Sequence, residues 1–271
     1  MRILSADDVR QAVPMPDAID AVESAFVRLS AGQATVPLRM HIETPARQAV
    51  SFVMPARLDG APMPALGVKV VSVFPENRDR GEPSISALVN LFDPETGRPL
   101  ATLDGAYLTA LRTGAASGVA TRHMARPDAR VLALFGAGAQ ALPQALAVCA
   151  VRAIERIWIV NRTPDRAQQL LERLRAAGLP QDVRIAPDAT RALAEADVIC
   201  TATAAPTPLF VDSDVRPGTH INGVGSYKPS MAEIPPATVA RARVVVDQRQ
   251  AAWAEAGDLI QARDAGLISE A

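Results

Sequence analysis

The stretch from Val131 to Thr163 constrains the fold of this chain more than any other. An apolar run, Val131 to Phe135, ends at Gly136-Ala-Gly138-Ala139-Gln140-Ala141. A helical pattern follows, and then a second apolar run, Arg156 to Val160, ends at Asn161-Arg162-Thr163. Strand, glycine turn, helix and strand make a βαβ unit with a G-x-G-x-x-A turn. Such a turn sets backbone N–H groups and a helix N-terminus against a pyrophosphate. Glycines alone mark ordinary turns, but this pair sits between a strand and a helix with a second strand behind them. The motif therefore reads as a dinucleotide site, with Gly136, Gly138, Ala139 and Gln140 as its residues.

The end of the second strand discriminates between dinucleotides. An Asp or Glu there accepts from the ribose 2′-OH of NAD. This chain has Asn161-Arg162-Thr163, and no carboxylate until Asp165. The planar fork of Arg162 suits a 2′-phosphate, and Thr163 can add a hydrogen bond. NADP(H) is expected, with NAD(H) the less favoured alternative. Pro143 sits slightly deep for the first turn of the helix.

The rest of the chain divides around this unit. The first 30 or so residues read as helical, with Ser5-Ala-Asp7-Asp8 as a cap and Ile19, Val22, Phe26 and Leu29 at helical spacing. Between Val36 and Leu103 short β-like runs appear at Ala49–Met54, Gly67–Phe74 and Ile85–Phe92. Asp59-Gly60, Asn77 to Gly81 and Asp93-Pro94-Glu-Thr-Gly97 supply the turns, and an antiparallel meander is expected. Helix returns from Asp104 to Met124, rich in small residues that suit close packing against backbone or a ligand. Strands are then expected at Val131–Phe135, Arg156–Val160, Val183–Ala186, Val198–Ala202, His220–Val224 and Val244–Val246. That order predicts an α/β fold: a Rossmann doubly wound parallel sheet over 114–271, preceded by an α+β domain over 1–113.

Bulk properties exclude several classes. A net charge of −1 with interspersed signs offers nucleic acid no basic stripe and a membrane no polybasic patch. No apolar run is long enough to suggest a membrane span. The opening MRILSADDVR lacks a signal-peptide pattern, so a cytoplasmic protein is expected. Cys149 and Cys200, in apolar contexts, are expected as buried thiols rather than a disulfide. No metal site is expected, because no His/Cys cluster has ligand spacing, and no nucleophile motif occurs.

Three cations in the first half stand out. Lys69 lies in Leu66-Gly-Val-Lys-Val-Val-Ser-Val-Phe74 and shares a face with Val71 and Val73. It is either on an exposed edge or lining a polar pocket. Arg112 has small or apolar neighbours and no acid at i±3 or i±4, so a partly buried guanidinium in want of a carboxylate is expected. Arg39, beside Met40 and His41, opens a possible strand and is weaker. His41 could reach a site; His123 and His220 read as structural.

Together these stretches resemble the ornithine cyclodeaminase/mu-crystallin family. The matching residues are Gly67-Val-Lys69-Val-Val, Asp93-Pro-Glu-Thr-Gly97, Ala101 through Arg112-Thr113-Gly-Ala, Phe135-Gly-Ala-Gly-Ala-Gln140-Ala, Ile221-Asn-Gly-Val224-Gly225-Ser, Val244-Val-Val-Asp247 and Ala254-Glu-Ala-Gly-Asp258-Leu. The resemblance implies a Rossmann domain plus a substrate domain whose strands build a homodimer. It implies a substrate carboxylate held by Arg39, Lys69 and Arg112. It sets Thr113 and Val224 beside the cofactor, and it likens Asn161-Arg162-Thr163 to the NADPH-using mu-crystallin branch.

The departures narrow the expected activity. Cyclodeaminases of the family carry an acid in the stretch matching Ala49–Pro55, where this chain offers Phe52. They carry a catalytic Asp soon after the glycine motif, where this chain has Ser226 and Tyr227. Ornithine's side-chain amine would lack its counter-charge, and the attack its base. The expected activity is NADPH-dependent reduction of a cyclic imino acid, Δ1-pyrroline-2-carboxylate or Δ1-piperideine-2-carboxylate, to L-proline or L-pipecolate. Ornithine cyclodeamination or an alanine-type amino-acid dehydrogenation is the alternative enzyme reading. A non-catalytic NADPH-binding, crystallin-like protein is the alternative of another class. Family members continue past the Gly257-Asp258 region with a Thr-x-Phe segment, whereas this chain ends at Ala271.

Overall fold

Two sheets organise the chain, one mixed and one wholly parallel. The computed structural model describes residues 1–60, 63–179 and 182–270. The chain divides into two units, Met1–Arg112 and Thr113–Ala271.

The first unit opens with β1 (Arg2–Leu4), α1 (Ala6–Ala12) and α2 (Met15–Ser30). Ser5 caps α1 in a reciprocal box, its hydroxyl accepting from the Asp8 N–H while the Asp8 carboxylate accepts from the Ser5 N–H. The strands β2 (Ala34–Thr35), β3 (Met40–Thr44), β4 (Ala49–Leu58), β5 (Ala65–Val73), β6 (Ile85–Phe92) and β7 (Pro99–Asp104) follow, and α3 (Gly105–Met124) begins in the first unit and ends in the second. The seven-stranded sheet has the order β1-β7-β6-β5-β4-β2, with β3 also on β4. The meander is as expected. The expectation of helix from the first residues is corrected at Arg2–Leu4, which pairs parallel with Ala101–Leu103 of β7. A partner strand distant in sequence overrides local pattern there. The β6–β7 turn is built by Asp93, whose carboxylate accepts from the Glu95 and Thr96 N–H groups (2.9 and 3.0 Å). Gly97 completes it at φ +71°, a conformation that penalises side chains.

The pleat gives this sheet two unlike faces. Val71 of β5 is 7% exposed, whereas its neighbour Val70 lies on the other face in a cross-strand row with Met40, Val53 and Leu88. Met40 and Leu88 in that row are 64% and 53% exposed. Lys69, paired with Met54 and Val89, lies on the Val71 face. It belongs to an interior strand flanked by β4 and β6, so the exposed-edge reading of Lys69 is corrected.

The second unit carries β8 (Val131–Phe135), α4 (Ala141–Val151), β9 (Arg156–Val160), α5 (Pro164–Ala176), β10 (Asp182–Ile185), α6 (Ala189–Leu193), β11 (Val198–Thr201), β12 (His220–Gly223), α7 (Pro236–Arg241), α8 (Arg249–Glu255) and α9 (Gly257–Asp264). All pairs are parallel, in the order β10-β9-β8-β11-β12. This is a doubly wound Rossmann sheet whose order reverses between β8 and β11. Leu132 and Leu134 point into one apolar layer with Ile157, Leu170 and Leu174; Ala133 and Phe135 point into the other with Trp158, Leu193 and Phe210. A strand buried on both faces reads as a continuous apolar run, as Val131–Phe135 does.

The sheet has five strands among the described residues, not six. Val244–Val246 forms no strand and is exposed. Three β-branched residues favour extension, but a strand needs an edge to pair with, and none of the described strands pairs there.

Candidate functional site

The expected nucleotide residues gather at the C-terminal ends of the parallel strands. Gly136 follows β8 at φ +102°, and a Cβ there would stand 2.5 Å from the Ala202 carbonyl oxygen. Its N–H donates to the Val160 carbonyl (2.9 Å), which sets the end of β9 beside the turn. Gly138 is exposed, with open space where a Cβ would go, so nothing hinders close approach to its backbone. The first turn of α4 begins immediately after, and its N–H groups lack intrahelical acceptors. Pro143 lies in that first turn, where its missing N–H costs no helix hydrogen bond.

Asn161 anchors the end of β9 by donating from Nδ2 to the Thr163 carbonyl (2.8 Å). Thr163 starts α5 without using its hydroxyl as a cap. Arg162 and Thr163 are both exposed. Val224 follows β12, its N–H donating to the Thr201 carbonyl (3.0 Å). Thr113 precedes Gly114, where a Cβ would meet the Pro143 carbonyl at 2.6 Å. Gly114 of α3 thus allows close packing against the α4 backbone at Pro143.

These residues fit a dinucleotide. One glycine is forced by the strand behind it, and a second leaves its approach open. Gln140 Oε1 is buried with no hydrogen-bond partner, a polar atom that a ligand can satisfy.

In the first unit the three expected cations converge electrostatically. Burial, then the charges of Arg112 and Arg39, pull the Lys69 pKa from 10.5 down to about 8. No carboxylate among the described residues forms an ion pair with Lys69. The Arg39 guanidinium lies over the Phe52 ring, 4.7 Å from its centroid. The expectation of a partly buried Arg112 is corrected: it is exposed, while its neighbour Leu111 is 4% exposed. α3 thus buries Leu111 and leaves the next residue, Arg112, exposed.

His41 is exposed opposite Phe52, and His123 is exposed on α3. His220 bonds Asn222 (3.1 Å), and burial lowers its pKa. Cys149 and Cys200 are free thiols, both pushed up to about 12 by burial. No helix among the described residues is long and apolar enough to cross a membrane.

One polar network escaped the sequence reading. Glu233 is 0% exposed. Its Oε1 accepts from the Thr203 N–H (2.6 Å) and hydroxyl (2.7 Å), and its Oε2 accepts from the Gly225 N–H (2.6 Å). Asp258 Oδ1 accepts from the N–H groups of Glu233 (2.6 Å) and Ile234 (3.0 Å). Ser226 Oγ donates to the Met231 carbonyl (3.0 Å) and accepts from the Asp258 N–H (3.2 Å). Burial raises both carboxyl pKa values, and the bonds from Thr203 oppose it at Glu233. The available signal was an acid in the apolar setting Met231-Ala-Glu233-Ile-Pro, a few residues beyond the glycine motif.

Known proteins share this fold and much of this sequence. The chain is 41% identical over 261 residues to a Δ1-pyrroline-2-carboxylate reductase of Bacillus cereus, covering 96% of this chain and 79% of the relative. Among solved structures, the Thermococcus litoralis Δ1-pyrroline-2-carboxylate reductase in complex with NADH and L-proline superposes with a TM-score of 0.94 at 39% identity, covering 100% of this chain and 83% of that one. An archaeal alanine dehydrogenase dimer with bound NAD gives a TM-score of 0.90 at 32% identity, covering 99% and 81%. The model of the ornithine cyclodeaminase/mu-crystallin family matches residues 1–271, and the chain belongs to that family.

Proposed function

We propose that this protein reduces a cyclic ketimine carboxylate, Δ1-pyrroline-2-carboxylate or Δ1-piperideine-2-carboxylate, to L-proline or L-pipecolate, with NADPH preferred to NADH. The observation that carries the reading is Lys69. An interior-strand lysine, held near pKa 8 by burial and by two arginines, is a receptor for a small carboxylate. The Bacillus cereus and Thermococcus litoralis relatives, both Δ1-pyrroline-2-carboxylate reductases, support the substrate class.

Each residue has a chemical task. Arg112 and Arg39 bind the carboxylate and orient the C=N bond, which is the positioning contribution. Lys69 hydrogen-bonds the carboxylate or protonates the imine nitrogen, so that the carbon becomes electrophilic. The substrate's negative charge raises the Lys69 pKa again and keeps the ammonium protonated at neutral pH. A nicotinamide, when bound, would supply the hydride for the imine carbon. The turn at Gly136, Gly138, Ala139 and Gln140 would cradle the pyrophosphate, Thr113 and Val224 would lie beside the cofactor, and Asn161, Arg162 and Thr163 would hold the 2′-phosphate.

Phe52 argues against ornithine as substrate. An aromatic face under Arg39 occupies the strand where a carboxylate would meet a cationic side chain. The row Met40–Val53–Val70–Leu88, exposed at all but Val53, favours a homodimer through this sheet face, an arrangement compatible with the dimeric archaeal relative.

The test is absorbance at the NADPH band with each cyclic imine, run in parallel with NADH. Oxidation of NADPH by either imine, faster than of NADH, is the expected result. Ammonia release from ornithine with NAD, and no imine turnover, sinks the reading. A preference for NADH overturns the role of Arg162 alone.

A further inference from the structure

The nucleotide turn and the buried acid Glu233 are physically joined. A Cβ at Gly136 would stand 3.1 Å from Thr203 Cγ2, and Thr203 gives both its N–H and its hydroxyl to Glu233. The other carboxylate oxygen takes the Gly225 N–H, immediately after Val224. Thr203 follows β11 and Gly225 follows β12. One side chain therefore ties together the loops that leave the two strands on the far side of the order reversal from β9.

A dinucleotide lies across the reversal point of such a sheet, one mononucleotide half on each side. The end of β9, with Arg162, serves the adenine side. The loops after β11 and β12 then face the nicotinamide side. We propose that Glu233 is a positioning residue for the nicotinamide half of the bound cofactor, with Asp258 fixing Glu233 in turn. The inference rests on the nucleotide reading above.

The geometry excludes a role for Glu233 as a proton carrier. Both oxygens are committed to protein donors, and the side chain has no exposure. Its backbone is equally fixed: the N–H donates to Asp258, and the carbonyl accepts from the Leu209 N–H (2.9 Å). Ser226, which stands where cyclodeaminases were expected to carry an acid, spends its hydroxyl on this brace.

Glutamine is not a silent replacement here. Thr203 and Gly225 present backbone N–H groups to opposite oxygens, so a Gln amide nitrogen must face a donor. Glu233→Gln keeps size and breaks one tie. The binding probes are 2′,5′-ADP, which fills only the adenine side, and NADPH, followed by the nicotinamide fluorescence that binding alters. The expected result is 2′,5′-ADP binding within about threefold of wild type, NADPH binding weakened about tenfold, a smaller fluorescence change and a lower kcat. Thr203→Val removes only the hydroxyl tie. It should move the same readouts by a smaller factor, and it serves if the Gln variant does not fold.

Equal weakening of 2′,5′-ADP and NADPH in these variants means general loosening and overturns the proposal. No change in either overturns it too. Wild-type protein that binds neither NADPH nor NADH overturns the nucleotide reading and takes this inference with it. Variants that show the binding split, with wild-type protein that reduces no imine, leave the brace standing and remove only the substrate assignment.

Discussion

Lys69 is a half-buried charge and Glu233 a fully buried one, and the surroundings treat them in opposite ways. Lys69 faces two like charges and no described acid, and its pKa falls to about 8. Glu233 faces no described cation, yet three donors on Thr203 and Gly225 satisfy it. A charge already answered by backbone is part of the scaffold. A charge set among its own sign lowers stability until an anion answers it, which is the role proposed for Lys69. The difference separates recognition from support without reference to any relative.

The sharpest way to break this comparison is Lys69→Met. Loss of a carboxylate anchor and proton donor should lower kcat/KM by about 10²–10⁴-fold, measured as imine-dependent NADPH oxidation. Near-normal turnover would return Lys69 to a structural role. Arg162→Ala extends the test to an exposed charge. The ratio of kcat/KM for NADPH over NADH should fall about 10–100-fold, as expected for a lost charge-assisted phosphate contact.

The pH profile is the next step down. Lys69 is protonated below about 8, so kcat/KM in the free enzyme should fall about tenfold per pH unit above that value. A flat profile to pH 9 removes Lys69 from proton transfer.

Thermal stability gives the smallest effects, with opposite signs at the two sites. The folded pKa of Lys69 lies below its ordinary 10.5, so folding favours the neutral form. Stability from this group is present above about pH 10.5 and is lost as pH falls through about 8. At pH 7 the charged lysine is a cost, and Lys69→Met should raise stability by up to about 3 kcal/mol. Glu233→Ala should lower it by about 3 kcal/mol, because buried donors lose their acceptor. Melting curves of the two variants at pH 7 should move apart, by roughly 2–4 °C per kcal/mol.

Much of this was legible in the sequence for identifiable reasons. Strands buried on both faces spell continuous apolar runs, so β8 and β9 could be read directly. Capping and turn residues act locally, so Ser5 and Asp93 declared their roles. Lys69 announced itself as a charge in an apolar strand. Long-range pairing was the opaque part. Arg2–Leu4 becomes a strand only because β7 lies beside it, and Val244–Val246 does not become one despite its composition. The Glu233 brace was invisible for the same reason. Its partners lie 30, 8 and 25 residues away in sequence at Thr203, Gly225 and Asp258, and no short motif spans them.

The two thiols have a practical consequence. With both held near pKa 12, neither Cys149 nor Cys200 presents a thiolate to oxidants or alkylating reagents at neutral pH. Slow reaction of the native thiols with maleimides is expected, checked by counting labels on the unaltered protein. A cysteine introduced at an exposed position such as Gln169 on α5 would carry a fluorophore or spin label without background from the native sulfurs.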